Sequence, residues 1–168
     1  MKTLILAAAL TAAPALAALA DAPGITVTDA YARSTNPRSG AVFMTVANAN
    51  AADCRITAVT ADVTPRAELH THAEENGMMK MTPVEGVTIP AGGTHALERG
   101  GDHVMLMALE TPLKDGDKVA LTLNMGACGT LPVEAVVDNK RPASGHAASH
   151  AGGHAGDHAG HTMPMPAN

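Results

Sequence analysis

The chain has 168 residues, with 16 acidic against 11 basic side chains, a formal net charge of −5, one Tyr, one Phe and no Trp. Its acidic balance and scattered Lys and Arg exclude a nucleic-acid-binding surface. With so few aromatics, its core has to be aliphatic.

Residues 1–20 read as a signal peptide. Lys2 supplies a positive start, Leu4 to Leu10 opens an apolar stretch, and Ala18-Leu19-Ala20 matches an A-x-A cleavage pattern that places the cut before Asp21. A membrane anchor is the competing reading. It is disfavoured because Pro14 interrupts the stretch and the apolar run is short of the ~20 residues a bilayer span needs. No later segment is apolar for long enough either. The mature protein is expected in the periplasm, with no membrane span.

Residues 21–138 read as one β domain. Ile25 to Thr28, Ala41 to Asn48, Cys54 to Val63, Val119 to Leu123 and Val133 to Val137 are strand-compatible. Turn chemistry separates such segments at Asn36-Pro37, Pro90 to Gly93, Gly100-Gly101 and Lys114 to Gly116. This spacing predicts an all-β sandwich or Greek-key barrel. Cys54 opens one strand and Cys128 lies in the turn between the last two. In an oxidising compartment an even pair favours a disulfide; the alternative is two thiols, one of them free to bind metal.

From Asn139 the composition changes to Gly, Ala, Ser and Pro, which cannot bury enough surface to offset chain entropy. Residues 139–168 are therefore expected to form a disordered tail. It holds His146, His150, His154, His158 and His161, followed by Met163 and Met165. The four-residue spacing of the first four would line one helix face. Seven Gly and Ala residues among 151–160 oppose a stable helix. Flexible His-rich tracts favour Cu(II) over Ni(II) or Zn(II), so these seven side chains form a candidate Cu(II) site. The plainer reading is a low-complexity tail without a metal role.

Within the body, soft and borderline donors concentrate in Glu68 to His72, Met78 to Met81 and His103 to Met107. Alternate residues of a strand share a face. His70 can thus point with His72, Met79 with Met81, and His103 with Met105 and Met107, while Val104, Leu106 and Ala108 face the core. Thioether sulfur is soft, uncharged and suited to Cu(I), whereas zinc takes Cys, His and carboxylate. Packing is the ordinary use of methionine, and Met44 and Met125 are assigned to it.

The spacing resembles that of the periplasmic copper chaperone family PCuAC, whose signature is H-x10-M-x21-H-x-M. Here the four positions are His70, Met81, His103 and Met105. The flanking Ala67 to His70, Met81 to Gly86, Ile89 to Gly93 and Gly100 to Met107 are also similar to that family, over residues 25–138. The resemblance implies a cupredoxin-like β-barrel holding one Cu(I) through these four side chains. It also implies delivery to the copper-bearing subunit of cytochrome c oxidase, at its dinuclear copper centre, alongside thioredoxin-like copper proteins. His72 and Met79 rank as second-choice ligands, beside the four. Some members of the family carry a comparable His/Met-rich extension, similar to a second, Cu(II)-type site.

Three other readings stand beside this one. A blue-copper electron carrier needs a Cys thiolate with a His close behind it; Cys128 is followed by Gly129-Thr-Leu-Pro-Val133, and the next His is His146. A periplasmic copper buffer or resistance protein without a dedicated recipient shares every sequence feature with the chaperone. An enzyme is not expected, since neither G-x-S-x-G nor H-E-x-x-H occurs and no Cys has a placed His.

Overall fold

The computed structural model describes residues 22–75 and 78–142; the expected signal peptide and the tail histidines and methionines lie outside the described residues. Eleven strands follow in order: β1 (Ile25–Asn36), β2 (Ser39–Asn48), β3 (Cys54–Ile56), β4 (Ala58–Ala61), β5 (Arg66–Glu75), β6 (Met78–Pro83), β7 (Val87–Ile89), β8 (Thr94–Leu97), β9 (His103–Met107), β10 (Lys118–Asn124) and β11 (Thr130–Val137). One 3-10 turn, Gly126–Cys128, lies between the last two strands.

The main sheet runs β4-β10-β11-β1-β2-β9-β5-β6, with β8 also on β2, while β3 and β7 form a separate pair. Nearly all pairings are antiparallel; β1 and β11 are parallel. One edge of β2 is divided between β9, opposite Ser39 to Val42, and β8, opposite Met44 to Ala47.

Period-two alternation explains the layering. Val42, Met44 and Val46 of β2, Val104 and Leu106 of β9, Val119, Leu121 and Leu123 of β10, and Val133, Ala135 and Val137 of β11 turn to a common aliphatic core. Each of the larger side chains contributes roughly 1.5–3 kcal/mol on burial. Met44 and Met125 join them, as the sequence implied. Buried Asn48 satisfies its own amide: Nδ2 donates to the Ala52 and Ile89 carbonyls (2.9 and 3.2 Å), and Oδ1 accepts from the Asn50 N–H (3.0 Å).

Two local expectations are corrected. The predicted strand Cys54 to Val63 is two strands in different sheets, broken at Thr57, whose N–H donates to the Asn124 carbonyl (2.9 Å). Ala108 does not face the core: β9 ends at Met107, Ala108 takes a left-handed φ of 56° and is exposed, and Leu109 is buried instead.

Cys54 and Cys128 are bonded, with their Cα atoms 5.9 Å apart, so the small β3–β7 sheet is tied to the turn after β10. The thiol alternative is thereby removed, and neither cysteine is left as a metal ligand. The bond closes a sequence separation of 74 residues, for which chain entropy gives about 4 kcal/mol. A Cys54→Ala/Cys128→Ala chain should lose about 2–5 kcal/mol of unfolding free energy in denaturant titration. An unchanged midpoint would contradict that role.

Candidate metal centre

Strand β9 lies between β2 and β5, and β5 carries β6 on its other edge. In the antiparallel ladders, opposed residues project to the same side. Register sets His103 opposite His70 and Met105 opposite Glu68. It sets His72 opposite Met81 and Glu74 opposite Met79, and Ala41 opposite Met105. Because Val104, Leu106 and Leu69 fill the core side, the histidines and methionines all emerge on the other face. The alternation that builds the core thus also assembles the site.

The sole Tyr and Phe form its floor. The Tyr31 and Phe43 rings lie 5.1 Å apart, and Phe43 lies 6.1 Å from the His103 ring. The His103 ring has two further neighbours, His70 at 6.1 Å and His72 at 5.3 Å. Under these rings His103 is 1% exposed and His70 is 9% exposed. A cavity beside them is lined by Met81, Met105, Phe43, Ala41, Arg33 and Arg99, so both thioethers reach one space although their strands are not adjacent. Met81 stands at the rim, nearly half exposed, and Met79 lies further out.

Hydrogen bonds set the tautomers. His70 Nε2 lies 3.1 Å from Glu68 Oε2, an oxygen that can only accept, so in the neutral ring Nε2 carries the hydrogen and Nδ1 the lone pair; Nδ1 is buried and without a hydrogen-bond partner. His103 Nδ1–H donates to the Gly101 carbonyl (3.0 Å), leaving Nε2 as its free nitrogen. An imidazole anchored at one nitrogen by a carboxylate or backbone carbonyl, with the other nitrogen bare, is the usual state of a metal-binding histidine. A bare buried nitrogen otherwise costs about 1–3 kcal/mol, which ligation removes. The donor set fits Cu(I): imidazole nitrogen and thioether sulfur, with no carboxylate in the ligand group. Among the described residues, no group of three or more His, Cys, Asp or Glu side chains is arranged to hold a metal.

Electrostatics keep these groups in the required states. Arg66 first, at 2.8 Å, and then His70 hold the Glu68 carboxyl below its ordinary value, so it stays an anionic acceptor. Burial pushes the His103 imidazole below its ordinary value, the Gly101 hydrogen bond opposing and the adjacent His72 and His70 reinforcing the shift. Its folded pKa being the lower one, the unfolded chain takes up the proton first. His103 thus contributes its full stability above about pH 6.5 and loses it progressively as pH falls below that value. Urea midpoints of the metal-free protein should drop between pH 7.5 and 5.5, and drop less in a His103→Gln chain. Equal slopes would contradict the assignment.

Sequence reasoning missed Glu68, the Gly101 carbonyl, Phe43, Arg33 and Arg99. Glu68 was accessible in principle, standing two residues before His70 on the same strand face; a backbone carbonyl carries no sequence signal. His72, ranked behind the four signature residues, lies closer to His103 than His70 does.

Comparison with known proteins places the chain. The family described as LpqE-like, a lipoprotein family, matches residues 25–137. The chain belongs to this LpqE-like family. Lxx21020 of Leifsonia xyli subsp. xyli, named as a lipoprotein, is 32% identical over 117 residues, covering 69% of this chain and 70% of its own length. Among solved structures, the copper-bound PCuAC domain from PmoF2 superposes with a TM-score of 0.57 at 17% identity, covering 68% of this chain and 92% of that domain. The Cu(I) form of DR1885 from Deinococcus radiodurans gives 0.52 at 36% identity, covering 71% and 83%. The fold is therefore the all-β architecture of PCuAC domains, as the resemblance implied, while the matching family carries the LpqE-like description. No helix among the described residues is long and apolar enough to cross a membrane.

Proposed function

We propose that this LpqE-like protein is an extracytoplasmic copper carrier that takes one Cu(I) as cargo on His70, Met81, His103 and Met105. The observation that carries this reading is the paired anchoring of two imidazoles beside two thioethers. Glu68 and Gly101 each fix one histidine by its protonated nitrogen and leave the other nitrogen bare. The Cu(I)-bound relative at 36% identity supports the choice of metal. Two neutral imidazoles and two thioethers hold a monovalent soft ion without added charge, so we infer a carrier and not an enzyme.

The recipient in this reading is the dinuclear copper centre of cytochrome c oxidase, with thioredoxin-like copper proteins acting alongside. The tail residues His146, His150, His154, His158, His161, Met163 and Met165 form a separate Cu(II) site. A signal peptide at 1–20, a body extended from the expected 21–138 to Pro142 by the contacts of Asn139 and Arg141, and the tail beyond it complete the organisation. A transfer assay separates carrier from buffer: a carrier passes copper to an apo oxidase copper fragment faster than copper dissociates to solvent, and a buffer does not.

Glu68→Ala should weaken Cu(I) binding by roughly 10–100-fold, the usual effect of removing the partner that orients a ligating histidine. Anaerobic chelator competition measures it, and an unchanged Kd would remove Glu68 from the site.

A further inference from the structure

Two histidines, not one, stand beside His103. His72 follows His70 on the same face of β5, and its ring centroid lies 5.3 Å from that of His103. Like His70, it has a buried Nδ1 with no hydrogen-bond partner. A histidine serving only as surface would turn that nitrogen to water or to a donor, since a buried bare nitrogen is costly. His72 also sits opposite Met81 in the β5–β6 ladder, on the side where the site opens to solvent. His70 and His72 thus both flank His103 from one face of β5, with ring centroids 6.1 and 5.3 Å away.

Resting on the copper reading above, we propose that His72 is an exchange ligand. Copper moves between an inner position on His70, Met81, His103 and Met105 and an outer one in which His72 replaces His70. In this step the bond from copper to His70 Nδ1 breaks as the bond to His72 Nδ1 forms. Copper stays Cu(I), both imidazoles are neutral before and after, and no proton or electron is transferred. The inner position has the buried donors and stores the ion. The outer one draws the ion toward His72, opposite the half-exposed Met81, where an incoming acceptor can reach it.

The test compares wild type, His72→Ala and His72→Gln as full chains, each loaded with one equivalent of Cu(I) under anaerobic conditions. Bicinchoninate serves as acceptor for both stopped-flow transfer and equilibrium competition. Transfer should slow by about tenfold or more in both variants, a barrier change of one decade, while Kd changes by less than about threefold. In wild type, substoichiometric Cu(I) should broaden the ¹⁵N resonances of His72 and His70 together, a signature that a purely structural histidine does not give. Three results would overturn the inference: unchanged transfer in both variants, a His72 resonance unaffected by Cu(I), or a loss of affinity equal to that of His70→Ala, which would make His72 a permanent ligand. If wild type binds no stoichiometric Cu(I), the copper reading fails along with it.

Discussion

Met105→Leu and Met81→Leu are each expected to weaken Cu(I) binding by more than about a hundredfold, beyond the range seen when only an orienting partner is lost. Leu retains the volume of Met and removes the sulfur, and such swaps usually cost under ~1.5 kcal/mol of stability. Met105 is partly buried on β9 and Met81 stands at the rim of the shared cavity, so neither is a core residue whose loss would unfold the sheet. Binding and stability should separate cleanly. With one sulfur gone, two imidazoles and a single thioether remain, a set less matched to a soft monovalent ion. Chelator competition gives the affinity and denaturant titration the stability. Wild-type Cu(I) affinity in both variants would remove the thioethers from the site.

The second large effect concerns pH and the proposed division into two sites. In the disordered tail expected from the composition, histidines should titrate near the unperturbed 6.5, and protons compete with metal for neutral imidazole. Tail-bound Cu(II) should therefore be released between about pH 7.5 and 5.5. In the body, two of the four ligands are thioethers that do not protonate in this range, and burial holds His103 below its ordinary value. Cu(I) in the body should survive a drop in pH that empties the tail. Copper retention is compared for the full chain, a chain ending after Pro142 and a tail peptide. That end point is chosen because Asn139 and Arg141 are held to the body. The Ser34 N–H donates to Asn139 Oδ1 (2.7 Å), and the Arg141 guanidinium pairs with Asp29 and lies 4.1 Å over the Tyr31 ring. Loss of body Cu(I) over the same interval as tail Cu(II) would contradict the division.

What could be read from the sequence depended on whether a feature was periodic or relational. Alternation in His103 to Met107 revealed both faces of β9, because a period of two needs no tertiary knowledge. The same logic failed at Ala108, where a left-handed residue ended the strand one position early. Strands β7 and β8 are not legible in the sequence because they are only three and four residues long, β7 lying between Gly86 and Pro90 and β8 following Gly93. The four signature positions were legible as spacing, yet the reason His70 presents Nδ1 and His103 presents Nε2 was not. That depends on Glu68 and on a backbone carbonyl at Gly101. His72 was undervalued for a similar reason: sequence shows that it shares a face with His70, but not that its ring packs against His103.

The most direct test of the central claim is anaerobic Cu(I) titration of the chain ending after Pro142, followed by copper K-edge X-ray absorption of the one-equivalent complex. One tightly bound Cu(I), with nitrogen and sulfur scatterers both present in the first shell, is the predicted result. Absence of stoichiometric binding, or a first shell without sulfur, would contradict a Cu(I) site built on His70, Met81, His103 and Met105.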